Sequence, residues 1–491
     1  MITNLNPYPA YKYSGMSWLG QVPEHWETCR LKSRLVKNDS GIWRDHHDPN
    51  GTIILRSTEQ TVSGGWKIEN PARVHLSHME REAYLLRAGD LVVTKSSGSA
   101  DHIGKTSLVT EDVATLRCAF SNFMQRLRLG ENTDPKLLWY YLNSPIGREQ
   151  LVFQSTTTTG LANLNGKILA NCVIALPPLP EQTAIVRFLD WADRRIRRVI
   201  RVRQRRINLL EEYKQALIHQ AVTGKIDVRT GKPYPAYKDS GVEWLGQVPA
   251  HWEVRRLGSV TQILNGATPS TSKSEYWDGS IVWITPDDLG KLKSRYIDNS
   301  SRTITSEGYT ACGTTLAPAG SIAMSTRAPI GHLGILQVAA CVNQGCRLLV
   351  PQPTTVTEYL YYSLVVGRPN LEVLGQGSTF MELSRAKLGA FSIPCPSLPE
   401  QTAIVEYLDA QTAKIDTAIS VSRREIDLLR EYREKLISDV VTGKMDVREV
   451  TAQLPEEPAE EEEPLRAEDA EVVADEETDN NEETADAEEA C

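Results

Sequence analysis

The sequence predicts an α/β (α+β) protein in which two mixed α/β domains are separated by two long helices that form an antiparallel coiled coil, with an internal pseudo-twofold repeat. Three observations predict this fold: two segments occur twice in nearly identical form, the segments between the copies differ, and one pair of copies carries a heptad pattern. The 491 residues exceed the usual size of one domain, and 41% apolar with 24% charged residues is ordinary for a soluble protein.

The repeat has two parts. The segment YPAYKYSGMSWLGQVPEHWE, residues 8–27, returns with four differences at residues 234–253. The second part starts with LPEQTAIV at Leu179 and again at Leu398, and ends in VTGKIDVR and VTGKMDVR. Two copies are too few for a solenoid, so they indicate a fused pseudo-dimer, a geometry suited to reading two DNA half-sites. The predicted segments are 1–27, 28–178, 179–229, 230–253, 254–397, 398–448 and 449–491.

The second repeated part predicts a long helix in each copy, over residues 181–222 and 400–441. Apolar residues recur there at spacings of three, four and seven, which is the signature of a coiled-coil seam. Each helix has one narrow apolar stripe, so we expect the helices to pack together; each helix lying on its own domain is the alternative. The predicted seam consists of Ile185, Leu189, Ile196, Ile200, Ile207, Leu210 and Leu217, with Ile404, Leu408, Ile415, Ile419, Ile426, Leu429 and Leu436.

The variable segments 28–178 and 254–397 have mixed helix and strand patterns punctuated by Gly, Ser and Thr. The predicted strands are Asp90–Thr94, Phe123–Leu129, Ser321–Ser325 and Arg347–Pro351. Short helices are predicted near Pro135–Leu142 and Thr355–Val366.

Charge is distributed unevenly along the chain. Residues 449–491 hold 19 of the 63 acidic residues and one basic residue, Arg466, so residues 1–448 carry a net charge of +9 rather than the −9 of the whole chain. A basic body is typical of proteins with a polyanionic partner, although it also occurs in proteins that only need solubility. The acidic segment is low in apolar residues, and we expect it to be a disordered tail.

The sequence has no features of a membrane or secreted protein. No stretch approaches the roughly 20 apolar residues of a membrane span, and the first residues lack a secretion signal. Eight cysteines without a CxxC pair do not make a disulfide framework. We therefore expect a reduced protein in the cytoplasm, without contact with a membrane.

Taken together, these features resemble the DNA-specificity subunit of Type I restriction–modification systems. The resemblance covers residues 8–448 and rests on the WLGxVPxHWE segments, the LPEQTAIV helices that end in VTGKxDVR, and the alternation of repeated and variable regions. It implies that the variable segments are target-recognition domains, each reading half of a bipartite site in double-stranded DNA. It also implies a coiled coil that spaces these domains and docks two methyltransferase subunits. The acidic tail departs from the family pattern.

The resemblance further implies that this chain is not an enzyme and binds no cofactor. S-adenosylmethionine, ATP and Mg are expected on partner subunits, which carry out adenine methylation and, where restriction/translocase subunits are present, ATP-dependent cleavage. Two other hypotheses are a coiled-coil scaffold without sequence readout and an independent enzyme. The scaffold does not explain two diverged domains between near-identical segments, and the enzyme lacks a constellation of catalytic residues.

Each variable segment contains a strand followed by a polar loop, GDLVVTKSSGSADHIGKTS from Gly89 and GSIAMSTRAPIGHLG from Gly320. The second loop, followed by CVNQGCR, resembles a recurrent family pattern. Lys95 and Arg327 have the chemistry to pair with phosphate or guanine, and Asn122, Asn343 and Gln344 to read adenine. Alternatively, Pro329, Gly331 and Gly345 only shape a turn. The candidate DNA-binding residues are Lys95, Ser96, Ser97, Asn122, Thr156, Thr157, Ser325, Arg327, Asn343, Gln344, Ser378 and Thr379.

Of these candidates, Thr156, Thr157, Ser378 and Thr379 belong to polar loops ahead of the long helices, where phosphate binding and a plain linker are equally open. Eight arginines between Arg194 and Arg206 surround much of the first long helix. They meet DNA phosphate, an acidic partner or only solvent.

Other chemistries find little support. The string GSADHIGKT misses the P-loop pattern by one position, because Ser99 stands where its first Gly is needed. No Asn/Asp-Pro-Pro-Tyr/Phe string of amino-methyltransferases is present, and no Glu-x-Lys follows Pro286-Asp287 as in many nucleases. His332, Cys341 and Cys346 lack the close ligand pair of a zinc site. The repeated tryptophans Trp18, Trp26, Trp244 and Trp252 are expected to pack against the coiled coil rather than stack on bases.

Overall fold

The computed structural model of the chain describes residues 5–44, 47–97, 102–158, 161–375 and 382–455. The chain forms two compact units, residues 1–205 with 424–491 and residues 206–423, which we call the first and second units. Both divisions fall inside a long helix. Each unit therefore holds one variable segment, one copy of the first repeated segment and part of both long helices.

The first unit is built from small sheets and short helices. Its largest sheet has the strand order β4-β11-β7-β9, and further sheets have the orders β10-β5-β6, β12-β13-β8, β14-β3 and β1-β2. The strands are β1 (Tyr11–Tyr13), β2 (Gln21–Pro23), β3 (Glu27–Arg30), β4 (Leu35–Ser40), β5 (His47–Leu55), β6 (Ala72–Val74), β7 (Leu91–Thr94), β8 (Ser96–Ser97), β9 (Thr106–Leu108), β10 (Ala119–Phe120), β11 (Met124–Leu129), β12 (Thr156–Thr158), β13 (Leu161–Asn163) and β14 (Val173–Leu176). The helices are α1 (His78–Tyr84), α2 (Glu111–Thr115), α3 (Pro135–Asn143), α4 (Pro145–Gln154), α5 (Gly166–Asn171) and the first long helix, α6 (Leu179–Val222).

The second unit repeats this plan. Its largest sheet has the order β18-β25-β22-β23-β20, beside sheets of order β21-β19-β24, β17-β26 and β15-β16. The strands are β15 (Tyr237–Asp239), β16 (Gln247–Pro249), β17 (Glu253–Arg256), β18 (Thr261–Asn265), β19 (Trp277–Ile284), β20 (Tyr296–Ile297), β21 (Thr303–Ile304), β22 (Ile322–Ser325), β23 (Leu333–Leu336), β24 (Ala340–Val342), β25 (Cys346–Pro351) and β26 (Ser392–Cys395). The helices are α7 (Leu257–Val260), α8 (Pro286–Gly290), α9 (Ser306–Thr310), α10 (Thr357–Gly375), α11 (Arg385–Ala390) and the second long helix, α12 (Leu398–Val441).

The strands predicted from sequence are confirmed as β7, β11, β22 and β25, and all four lie in the centre of the two largest sheets. Most of their apolar residues are buried, and Leu91, Met324 and Leu348, for example, are fully buried. The predicted helix near Thr355–Val366 is longer than expected. It continues through Pro369 to Gly375, because Leu371 beyond the proline is buried in the core of the second unit.

The two long helices are confirmed, and they pack together in antiparallel orientation. In the first unit Asp193 of α6 pairs with Arg433 of α12, and ten residues later Arg203 pairs with Glu425 at 2.9 Å. In the second unit Lys214 pairs with Asp416 at 2.6 Å, so residue numbers rise along α6 as they fall along α12. The predicted seam lies between the helices: Ile200, Leu210 and Leu429 are half-buried, and the other predicted seam residues are buried.

Of the four repeated tryptophans, Trp26 and Trp252 are buried, as the packing interpretation predicts, whereas Trp18 is 38% exposed, so the prediction is wrong for Trp18. Trp244 stacks on the ring of Phe391, which lies in the variable segment of the second unit. In the first unit, the indole N–H of Trp26 and the hydroxyl of Tyr8 donate to the carboxylate of Glu181, at 2.9 and 2.7 Å. Glu181 lies in the first turn of α6. These bonds fasten the repeated segment to the long helix.

The sequence predicted a disordered tail from residue 449, but the first residues of this segment are folded. Residues 448–452 form a further helix, α13 (Arg448–Ala452), whose Thr451 is buried. The hydroxyl of Thr451 donates to the Ala184 carbonyl at 3.3 Å, so this helix is held on α6 by tertiary contact. The prediction of disorder is wrong for residues 449–455, and its remainder, 456–491, lies outside the described residues.

Candidate nucleic-acid interface

The largest sheets of the two units carry equivalent loops where β7 and β22 end. The Lys95 amide donates to the Phe123 carbonyl at 3.0 Å, and the Thr326 amide donates to the Gly345 carbonyl at 2.8 Å. On the other side, the Lys95 and Thr326 carbonyls accept from the amides of Leu164 and Leu383. By these backbone hydrogen bonds, Lys95 of the first unit occupies the position equivalent to Thr326 of the second, and Ser96 the position equivalent to Arg327. The two predicted cations lie at neighbouring, not identical, positions of one loop.

The turn facing each loop is equivalent as well. The Ser121 amide donates to the Leu55 carbonyl at 2.8 Å, as the Asn343 amide does to the Ile284 carbonyl at 3.0 Å. Counting from these bonds, the exposed Asn122 corresponds to the exposed Gln344. Each unit therefore has an exposed residue with a carboxamide side chain in the turn beside the strand-end loop, Asn in the first unit and Gln in the second.

In the first unit, Lys95 lies against the end of β4. Its ammonium donates to the Ser40 hydroxyl at 2.7 Å, and that hydroxyl donates to the Asn122 carbonyl at 3.3 Å. Burial lowers the pKa of Lys95. The hydrogen bonds bring Lys95 and Asn122 together on one edge of the sheet. Ser96 is half-exposed and pairs with Asn163 in the small sheet that continues from the loop.

In the second unit, Arg327 is an exposed cation of the loop. Its guanidinium lies 3.3 Å from the Glu382 carboxylate, and 47% of the side chain remains exposed. Burial lowers the pKa of nearby Arg347, an effect to which the positive charges of Arg327 and Arg385 add and which Glu382 opposes. Arg327, Arg347 and Arg385 are thus close enough to influence one another electrostatically, and with one nearby carboxylate they give this end of the sheet an excess of positive charge that suits an anion.

Sequence reasoning missed Arg347 and Arg385 as members of this surface. Arg347 closes the CVNQGCR string, and its guanidinium donates to the carbonyls of Gln344 and Cys346 at 3.2 and 3.0 Å. That adjacency to the Asn-Gln pair was the available signal. Arg385 begins α11, far along the chain, and no local pattern marks it.

Two of the predicted contacts in the second unit are committed to the loop itself. Ser325 is fully buried, and its hydroxyl donates to the Pro329 carbonyl at 2.7 Å and accepts from the His332 amide at 2.9 Å. Ser325 is therefore removed from the candidate contacts. The Asn343 side-chain oxygen accepts from the Gly345 amide at 2.9 Å, so it shapes the turn and is not free for bidentate adenine reading.

Gln344 remains a candidate reader. Its side chain is exposed, and its carboxamide oxygen accepts from the Thr268 hydroxyl. Thr268 follows Gly266, where a Cβ atom would lie 2.0 Å from the Asn343 carbonyl oxygen. Gly41 occupies the same place in the first unit, where a Cβ would lie 2.2 Å from the Phe120 carbonyl oxygen. A glycine after the edge strand lets the chain pass close against each turn.

The sequence predicted an irregular polar loop for the Thr-rich run before α6. The structure instead shows a strand there. Thr156 and Thr157 in β12 pair with Asn163 and Ala162 of β13, which also pairs with Ser97 of β8. Threonine favours extended backbone, and the strand partner comes from the same variable segment. The predicted candidates Ser378 and Thr379 lie outside the described residues.

Lys105, the lysine of the P-loop-like string, serves the fold. Its ammonium is buried and donates to the carbonyls of Gln60 and Ser57 at 2.8 and 3.2 Å. Among the described residues, no group of His, Cys, Asp and Glu side chains is arranged to hold a metal ion. Within that same part of the chain, no helix is both long and apolar enough to cross a membrane.

Comparison with known proteins shows which family has this sequence and architecture. The family model described as the Type I restriction modification DNA specificity domain matches residues 23–208 and 249–421. The Type I restriction enzyme MjaIX specificity subunit of Methanocaldococcus jannaschii is 34% identical over 197 residues, 40% of this chain and 45% of that protein. The EcoR124I/EcoR124II specificity subunit of Escherichia coli is 31% identical over 216 residues, 41% of this chain and 50% of that protein. For both, the chain spans about half the length of the relative.

One longer match and two solved structures extend the likeness. The putative MjaX specificity subunit of M. jannaschii is 24% identical over 442 residues, 88% of this chain and 96% of that protein. A chain from a study of assembly and conformational transition of the type I R-M system matches with a TM-score of 0.67 at 20% identity, covering 86% of this chain and 98% of its own length. The HsdS subunit of Thermoanaerobacter tengcongensis matches with a TM-score of 0.52 at 22% identity and the same coverage. At these identities, the structures show a shared fold.

Proposed function

Because the chain belongs to the family of Type I restriction–modification DNA specificity domains, we propose that it serves a restriction–modification complex as the subunit that selects the DNA sequence, with one half of a bipartite site read by each unit. The family match occurs once in each variable region, which fits two readers in one chain. This function also accounts for the net charge of +9 on residues 1–448, since Lys and Arg side chains neutralise DNA phosphates.

One observation carries this proposal: the same backbone position bears different side chains in the two units. Lys95 is replaced by Thr326, Ser96 by Arg327, and Asn122 by Gln344 on loops with matching hydrogen bonds. Two scaffolds that present different hydrogen-bonding groups in the same place are suited to two different half-sites. A scaffold without sequence readout would give no reason for the side chains to differ at these positions while the backbone hydrogen bonds of the loops are the same.

We further propose that the chemistry belongs to partner chains. Two methyltransferase subunits would bring S-adenosylmethionine, and restriction/translocase subunits would use ATP and Mg, in the cytoplasm. The pairing of the α6 and α12 helices offers these subunits an elongated surface in each unit. In this assignment the present chain contributes recognition and no catalytic residue.

The experiment is a comparison of DNA binding and methylation. The full chain, assembled with its methyltransferase subunits, is titrated onto random duplex DNA at about 50 and 200 mM salt, and methylated adenines are mapped in DNA from cells that carry the system. We expect salt-dependent binding and methylation at one bipartite sequence. Assembly with the methyltransferase but no DNA binding would favour the scaffold, and methyl transfer by the purified chain alone would make it an enzyme.

A further inference from the structure

Five exposed arginines form a stripe on α6 in the first unit. Counting along the chain, they are separated by seven, four, three and four residues, and these spacings keep them within about 40° of one helix face. That face lies opposite the buried seam residues Ile185, Leu189 and Ile196. At 1.5 Å per residue the stripe is about 27 Å long. We call it the arginine stripe: Arg187, Arg194, Arg198, Arg201 and Arg205.

The chain after α12 runs toward this stripe. The Thr451 hydroxyl donates to the Ala184 carbonyl at 3.3 Å, and three residues later the Leu454 carbonyl accepts from the Arg187 guanidinium at 3.0 Å. The segment thus advances along α6 in the direction of rising residue number. At the last described residues it has reached the first arginine, with the other four ahead of it.

The residues that follow have the complementary charge and length. Residues 456–463 contain six glutamates and no basic residue, and 456–491 contain 18 acidic residues against Arg466. Eight extended residues span about 27 Å, the same length as the stripe. Because these glutamates are joined to a segment already held at Arg187, their effective concentration at the stripe is on the order of millimolar.

We propose that residues 456–463 bind along the arginine stripe and cover it. The contact is a row of guanidinium–carboxylate pairs between a segment and a helix of the same chain. It makes the acidic segment a built-in competitor of any polyanion that approaches this face of α6, and it does not depend on the proposed function of the chain.

A photo-cross-linking experiment on the full chain tests this contact. Val202 is exposed and follows Arg201 on α6, so benzoylphenylalanine placed there probes the stripe without removing an arginine. We expect cross-links within one chain to residues 456–463 at about 50 mM salt, and their loss at about 1 M salt, where the screening length falls to about 3 Å. The same probe at exposed Val36 on β4 should give none.

Charge variants carry the test further. Arg201→Glu with Arg205→Glu should abolish the cross-link, whereas Lys12→Glu with Lys32→Glu, the same charge change on exposed side chains elsewhere in the first unit, should preserve it. Replacing the six glutamates of 456–463 by glutamine should also abolish it and leaves the described fold untouched. Absence of the cross-link at low salt, its survival in either the arginine or the glutamate variant, or cross-links to residues 464–491 or a second chain instead would overturn the proposal.

Discussion

Arg295 forms a two-pronged ion pair with Asp409, with its guanidinium nitrogens 2.5 and 2.7 Å from the two carboxylate oxygens. The Tyr362 hydroxyl donates to the same carboxylate at 2.8 Å, so the variable region of the second unit is bonded to α12 through one aspartate, about three turns into the helix. In the first unit, Asp190 of α6 receives the Tyr140 hydroxyl and the Lys136 ammonium, both at 2.8 Å. Each unit thus fixes its domain on the long helix that follows it.

We expect Arg295→Ala to destabilise the second unit. The change leaves Asp409 with Tyr362 and water, but the carboxylate is 37% exposed and solvent already screens the pair, so the loss should be about 1 kcal/mol. Urea unfolding at pH 7 measures it. Lys291→Ala is the matched control, because its pair with Asp287 is exposed on both sides and should contribute almost nothing. Equal effects of the two changes would contradict an anchoring role for Arg295.

The same pair predicts a pH dependence. Arg295 is the main cause of a lowered pKa of Asp409 in the folded chain. The stabilisation should be complete above the unfolded pKa of about 3.9, and be lost as the pH falls through the lower folded pKa. Unfolding free energies from pH 6 downward should therefore decline less steeply in Arg295→Ala than in the parent chain. If the unfolding free energies of the two chains declined in parallel, protonation of Asp409 would not contribute to the pH dependence of stability.

Glu181→Ala should release the N-terminal repeated segment from α6. The substitution leaves the buried indole N–H of Trp26 and hydroxyl of Tyr8 without their acceptor, at a cost of about 2–4 kcal/mol. Hydrogen exchange of residues 5–27 should speed up, whereas Glu24→Ala, a change at an exposed carboxylate in that segment, should leave it unchanged. Unchanged exchange in Glu181→Ala would mean that packing alone holds the segment.

Gly266→Ala should displace the turn that carries Gln344. The added Cβ would lie 2.0 Å from the Asn343 carbonyl oxygen, a backbone atom, so the turn must move at a cost of about 1–3 kcal/mol. Gly313→Ala meets nothing within 4 Å and is the control. We expect lower stability and altered preference in the second half-site, read by unfolding and by binding to randomised sites. A Gly266→Ala chain with the stability and preference of the parent would refute the close approach.

The sequence predicted the long helices well because their information is periodic and local. The seam around Ile196 and Ile415 follows from spacing alone, and the central strands follow from apolar runs such as that before Ser325. The roles of single loop residues were not predictable in this way. Burial of Ser325 depends on a hydrogen bond from His332 across the loop, and the approach of Arg385 to Arg347 depends on tertiary folding.

The position of the segment after α12 illustrates the same limit. Composition alone predicted disorder from residue 449, yet Thr451 and Leu454 bond to α6. Nothing in the local sequence names the distant carbonyl of Ala184 as the acceptor. Periodic patterns thus predict which elements form, whereas contacts between residues far apart in sequence decide what a loop or a chain end does.

The final prediction concerns the division of labour between the two units. Arg327 is an exposed cation in the strand-end loop of the second unit, and its partner Glu382 is itself partly exposed, so a DNA phosphate or base can compete for the guanidinium. If Arg327 reads guanine, Arg327→Ala should cost about 1–3 kcal/mol at one base pair; if it binds phosphate, all sequences should weaken about equally. In either case the first half-site should keep its preference. Binding to DNA libraries with one half-site randomised at a time measures this, and Lys95→Ala should change the preference only at the half-site read by the first unit.

Exchanging residues 254–397 for the matching segment of a relative should likewise replace one half-site and preserve the other. A folded chimera that binds its methyltransferase yet recognises a site changed in both halves would refute two independent readers.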